Sequence, residues 1–159
     1  MRKLNGLRLL IAVISALVMV LVIALQVVSA QTWASMEPAP GSVHWGGALA
    51  YVPTVGDSGF IYALRGDGKK DFWRYDINTD TWDITLSQTP ANVKAGGALA
   101  YDGGNYIYAL RGDGTRDFWR YDIGANTWST LSQTPANVKE GGALAVSYTH
   151  LTLPTIYSV

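Results

Sequence analysis

The chain has 159 residues, the length of one ordinary domain, and its 12 basic residues balance 12 acidic ones. Charged residues make up 15% and aromatic residues 11%, a composition that excludes a disordered class and predicts a packed core. Cysteine is absent, which excludes disulfide staples, thiolate metal sites and a cysteine nucleophile.

Residues 1–30 have the three parts of a secretory signal. Arg2, Lys3 and Arg8 form the basic start, an apolar run extends from Leu9 to Leu25, and Val28-Ser29-Ala30 supplies small residues suited to signal peptidase. The pattern predicts cleavage after Ala30. The alternative is an uncleaved N-terminal membrane anchor, since the run approaches the ~20 residues of a spanning helix. Both readings place the rest of the chain outside the cytoplasm, secreted, periplasmic or at the cell surface. Without the three leader cations, nine basic residues face 12 acidic ones. Such a mildly acidic body gives no electrostatic ground for a nucleic-acid partner, and membrane contact is confined to an uncleaved leader.

After the leader the chain repeats itself. Residues 46–82 read GGALAYVPTVGDSGFIYALRGDGKKDFWRYDINTDTW, and residues 96–128 read GGALAYDGGNYIYALRGDGTRDFWRYDIGANTW. Arg65 and Arg111, Trp73 and Trp119, Tyr75 and Tyr121, and Trp82 and Trp128 are each 46 residues apart, a period that points to propeller blades or arrays. Trp33, Pro40 and Gly46-Gly47 keep the spacing of Trp128, Pro135 and Gly141-Gly142. Residues 31–45 therefore read as the last strand of a split blade and a linker. Residues 46–90 and 91–135 read as blades, and 136–145 as the start of a third.

Each unit holds four short β segments separated by turn signals, with no helical periodicity. In the second copy these are Ala98 to Tyr101, Tyr106 to Arg111, Asp117 to Ile123, and Thr127 to about Ser132. Along the third, Trp119, Tyr121 and Ile123 share one face and Phe118, Arg120 and Asp122 the other. Large residues on both faces of so small a sheet imply neighbours on both sides. The expected class is all-β, a β-propeller fragment of four-stranded antiparallel blades, about two complete blades with flanking strands.

These residues resemble the Kelch-repeat β-propellers. IYALRG followed by a Tyr-Asp pair and then Trp carries the resemblance, with six residues between Tyr75 and Trp82 and between Tyr121 and Trp128. It covers Thr32 to Ala145. One departure is that Arg65-Gly66 and Arg111-Gly112 stand where Kelch blades typically carry Gly-Gly, while Gly46-Gly47 and Gly96-Gly97 precede the first strand. The Gly-His and Trp-Asp dipeptides of WD40 blades are missing, and the Asp-box pattern of sialidases is only loosely approached at residues 121–128.

Residues 146–159, VSYTHLTLPTIYSV, break the period. They resemble the conceptual translation of a transposon-end adapter used in sequencing libraries and read as a non-native tail, the alternative being a divergent terminal strand. Gln31 to Ala145 amounts to two and a half units, against the ~4–8 blades of a closed ring. As a fragment, the chain is expected to expose apolar blade faces and to aggregate or oligomerise.

The motifs divide between scaffold and site. Arg65-Gly66-Asp67 and Arg111-Gly112-Asp113 spell the integrin-binding tripeptide, yet both sit where the repeat requires a tight turn. Asp67, Asp71, Asp113 and Asp117 offer hard oxygens, but two carboxylates per loop fall short of the six to eight ligands of calcium. They read as turn aspartates paired with Lys69, Arg74 or Arg120. Gly46, Gly47, Tyr75, Trp82, Gly96, Gly97, Tyr121 and Trp128 recur identically, which suits packing between blades. Trp45 has Ala95 and Glu140 as its counterparts and is the aromatic candidate for a ligand contact. The candidate binding residues are Trp45, Arg65, Asp67, Arg111 and Asp113, with no catalytic residue, metal ligand or cofactor assigned. His44 is the one histidine before the tail, and no nucleophile, phosphate loop or paired catalytic carboxylates stand out. The expected function is an extracytoplasmic interaction module for an unknown protein or glycan. The alternative is part of a propeller enzyme acting on carbohydrates, an oxidase or a sialic-acid-processing enzyme of the kind the resemblance includes.

Overall fold

A computed structural model describes residues 33–54 and 58–146. The leader at 1–30 and the tail from residue 147 lie outside the described residues. Backbone contacts set residues 1–35 apart as one unit, of which Trp33, Ala34 and Ser35 are described, exposed and outside any strand. The eight strands found among the described residues all belong to the unit that begins at Met36. They are β1 (Ala48–Pro53), β2 (Gly59–Leu64), β3 (Phe72–Asp76), β4 (Thr81–Asp83), β5 (Ala98–Tyr101), β6 (Tyr106–Leu110), β7 (Phe118–Asp122) and β8 (Thr127–Thr130).

The strands form two four-stranded antiparallel sheets in sequential order, β1-β2-β3-β4 and β5-β6-β7-β8. No helix occurs among the described residues. The chain is therefore all-β, a propeller fragment of two four-stranded blades. Register is copied between the blades: Ala63 faces Trp73 and Tyr75 faces Trp82 in the first, as Ala109 faces Trp119 and Tyr121 faces Trp128 in the second. The strand ends fall slightly inside the expected ones. β6 ends at Leu110; the next residue, Arg111, still donates its N–H to the Asp117 carbonyl at 3.3 Å, while its guanidinium reaches Asp117 across the loop and the Asn92 carbonyl.

Period-two alternation gives each blade two apolar faces, and one pair of faces meets. The first blade contributes Ala50, Val52, Tyr62, Leu64 and Phe72, and the second contributes Leu99, Tyr101, Ile107, Ala109, Trp119 and Tyr121. Phe72 lies at the centre. Its ring centroid is 4.8 Å from Tyr121 and 4.9 Å from Trp128 in edge-on contacts, and 5.6 Å from Tyr62 in a stack. Phe72, Tyr121 and Trp128 thus act as core between the two blades, whereas Trp73 and Trp82, the first-blade counterparts of Trp119 and Trp128, lie on the first blade's opposite face. Fully burying one such side chain stabilises by about 1.5–3 kcal/mol. On the opposite face of the first blade, Leu49 is 66% exposed where its counterpart Leu99 is 7% exposed. A largely apolar concavity of about 440 Å³ lies there, lined by residues including Val43, Leu49, Trp73 and Trp82.

Connectors tie the blades together. Ser87 donates its N–H to Asn126 Oδ1 at 2.8 Å and accepts the Trp128 indole N–H at 2.9 Å. On the other side of the same connector, the N–H of buried Thr89 donates to the Lys70 carbonyl at 3.0 Å. Residues 36–45 repeat the first half of this pattern on the first blade: Glu37 donates to Asp80 Oδ1 at 2.7 Å and accepts the Trp82 indole N–H at 3.0 Å. The strand expected around Trp33 is not formed among the described residues, and Trp33 to Trp45 runs as a connector without ladder pairing.

The aspartate pairings also differ from expectation. Asp71 pairs with Arg65 at 2.7 Å, Asp117 with Arg111 at 2.8 Å, and Asp113 with Lys94 at 3.0 Å. Arg65 and Asp71 close the two ends of one loop, where the Arg65 N–H also donates to the Asp71 carbonyl, so they stand opposite each other. Lys69 instead bridges to Val93 through its backbone, and Arg74 pairs with Asp83 across β3 and β4 at 2.9 Å.

Asp80 and Asn126 occupy equivalent left-handed turn positions, with φ of 53° at both. Each accepts a tyrosine hydroxyl, from Tyr75 at 2.5 Å and from Tyr121 at 2.8 Å. The Glu37 N–H, and after it the Tyr75 hydroxyl, hold the Asp80 carboxyl below the usual range. The same hydrogen bond to Asp80 is the main cause that pushes Tyr75 up to about 12. A depressed carboxyl contributes stability at pH values above its unfolded value of ~3.9 and loses it as pH falls through the lower folded value. Asp80→Asn copies the second blade's solution and keeps an acceptor for both donors. We expect its melting midpoint to fall less steeply than wild type below about pH 4. Thermal melts across that range check this, and parallel acid limbs would show that Asp80 is not a source of the acid sensitivity.

Candidate binding groove

The antiparallel order brings two kinds of loop to one end of the blades. The turns between the second and third strands carry Gly66-Asp67-Gly68 and Gly112-Asp113-Gly114, and the connectors end there at Trp45, Ala95 and Glu140. Backbone hydrogen bonds lock them together. Asp67 N–H donates to the Trp45 carbonyl at 3.1 Å, and Asp113 N–H donates to the Ala95 carbonyl at 2.9 Å. His44 and Lys94 donate in turn to the Arg65 and Arg111 carbonyls at 3.2 and 3.3 Å. The positions before the first two glycine pairs are thus held at a fixed place whatever their side chains, and the third connector is tied to the second turn through Val138, whose carbonyl accepts the Gly114 N–H at 2.9 Å.

Adjoining concavities open at this end. One of about 420 Å³ is lined by Trp45, Gly46, Ala95, Gly96, Glu140 and Gly141. Another, of about 380 Å³, shares Trp45, Ala95 and Glu140 and adds Asp67, Lys94 and Asp113. A third, of about 590 Å³, extends along Asp113, Gly114, Lys139 and Glu140. Together they make one shallow groove with a floor of glycine and alanine and an indole at one side. Trp45 is 79% exposed there.

The structure brings Trp45, Asp67 and Asp113 into this groove and leaves Arg65 and Arg111 out of it. Arg65 spends its guanidinium on Asp71 and, through Nε, on the Ser42 carbonyl at 3.1 Å; Arg111 does the same with Asp117 and the Asn92 carbonyl at 3.0 Å. Both arginines clamp connectors, so the two halves of each Arg-Gly-Asp string have separate jobs. Lys94, Lys139 and Glu140 also line the groove and were not among the candidates. Their signal was positional: each falls in the dipeptide preceding a glycine pair, His44-Trp45, Lys94-Ala95 and Lys139-Glu140.

Chemically the groove offers a planar apolar surface, carboxylate acceptors and ammonium donors. Among the described residues no group of three or more His, Cys, Asp or Glu side chains is placed to hold a metal ion. This arrangement suits reversible binding through stacking and hydrogen bonds. No protein-family model and no curated protein matches the chain.

Proposed function

We propose that the chain is a Kelch-like propeller module that works outside the cytoplasm and binds a protein or glycan partner through this loop end. The observation that carries the reading is where the copies disagree. Blade strands and turn glycines are repeated almost unchanged, while the position before each glycine pair changes from tryptophan to alanine to glutamate. Those three positions line one concavity. Packing positions must be alike because each blade meets a similar neighbour, whereas a ligand contact is free to differ from blade to blade. The repeat signature at Tyr75 to Trp82 and Tyr121 to Trp128 supports the Kelch-like assignment, and the leader supports export.

The test is to screen peptide and oligosaccharide libraries against the isotope-labelled chain and to map amide shift changes. Changes confined to residues around Trp45, Ala95 and Glu140 are expected. Changes centred on the opposite end of the blades, around Thr54, Asn105 and Gly124, would overturn the reading.

A further inference from the structure

Resting on that binding reading, we infer that the groove takes a neutral oligosaccharide, with one pyranose ring stacked on the Trp45 indole and its hydroxyls held by Glu140 and Asp113. The exposed indole supplies a flat apolar surface with a polar N–H at its edge, which matches the C–H face of a sugar ring and the hydroxyls at its rim. The floor beside it is Gly46, Ala95, Gly96 and Gly141, so no side chain beyond a methyl group rises from the floor to obstruct a ring approaching the indole. The groove's polar groups carry both signs. Asp67, Asp113 and Glu140 accept hydrogen bonds, while Lys94 and Lys139 donate them. Hydroxyl groups use both kinds because each is at once donor and acceptor.

Charge favours a neutral ligand. Lys94 Nζ stands 3.0 Å from Asp113 Oδ2, so these two largely cancel and the groove has no strong field of one sign. A peptide would be recognised differently. Its anchors are large side chains sunk into desolvated pockets, and this groove is shallow with a small-residue floor. Its concavities, about 380 to 590 Å³ each, fall within the range of ordinary small-ligand clefts.

The experiment uses the full chain on an array of immobilised neutral, acidic and amino-sugar oligosaccharides, with a peptide array beside it. Variants are Trp45→Ala, Trp45→Phe and Glu140→Ala; all three substitutions fall on exposed residues and are expected to leave the melting midpoint in place. Neutral oligosaccharide binding that falls at least ~10-fold in Trp45→Ala, and that Trp45→Phe retains to within ~3-fold, is the expected result. Glu140→Ala is expected to weaken the same ligands by ~3–10-fold. Preference for acidic sugars, or neutral binding indifferent to Trp45→Ala, overturns the inference. Peptide binding alone overturns it while leaving the binding-module reading intact. Binding to neither array overturns it as well.

Discussion

Truncating Phe72 to alanine is expected to cost about 3–5 kcal/mol of unfolding free energy, the range of a fully buried aromatic ring. Truncating Phe118, the same residue type at the same place in the second blade, is expected to cost roughly half of that or less. Phe72 is 1% exposed and makes ring contacts across the blade interface with Tyr121 and Trp128 as well as with Tyr62 in its own sheet. Phe118 is partly exposed, and its ring contact is the stack on Tyr108 at 5.8 Å within its own sheet. Intrinsic strand preference and local sequence are therefore matched, and the difference isolates packing between blades. Denaturant titration of the two variants reads it directly. Equal losses would mean that the ring matters within its own sheet and that the blades are held together by their connectors instead.

The same contrast explains what could be read in advance. Strands were legible because glycine-bounded segments with period-two alternation leave little choice, and the copy register made Trp73, Tyr75 and Trp82 equivalent to Trp119, Tyr121 and Trp128 before any fold was known. Their sameness did not by itself fix one role: Tyr121 and Trp128 pack against Phe72 of the other blade, while Trp73 and Trp82 line the first blade's opposite face. Ion pairs were not legible, because Arg65 meets Asp71 only once the loop between β2 and β3 has closed, and nearer cations in the sequence turn elsewhere. Register, not spacing, decides such pairs. The site was half legible. Trp45 stood out as a break in the repeat, and Asp67 and Asp113 as turn carboxylates. That they share one groove depends on the connectors delivering residues 45, 95 and 140 to the tips of those turns through backbone hydrogen bonds, which side-chain identity does not encode. Lys94 and Lys139 were missed for that reason. Arg65 and Arg111 were drawn in by a tripeptide whose arginine the scaffold uses for itself.

The connection between scaffold and site gives the second large effect, at Gly112. Its φ is +73°, and a Cβ added there would lie 2.2 Å from the Ala95 carbonyl oxygen and 2.8 Å from backbone atoms of Gly96 and Gly97. All three are main-chain atoms, so no rotamer change can make room. Gly114 has nearly the same backbone strain, φ +67°, with nothing within 4 Å of the added atom. Gly114→Ala should therefore report the left-handed conformation alone, about 1–2 kcal/mol. Gly112→Ala should cost that plus the displacement of the Ala95-Gly96-Gly97 segment, about 4 kcal/mol or more. The displaced segment is the floor of the groove, so Gly112→Ala should also weaken oligosaccharide binding under conditions where the variant remains folded. Gly114→Ala, whose new methyl group meets no protein atom, is the control for stability alone, since Gly114 itself lines the groove. Paired measurements of denaturation midpoint and array binding separate the outcomes. If Gly112→Ala is no more destabilising than Gly114→Ala, the turn and the connector can move apart at little cost. In that case the shape of the groove is not imposed by the blades, and its ligand would have to order it.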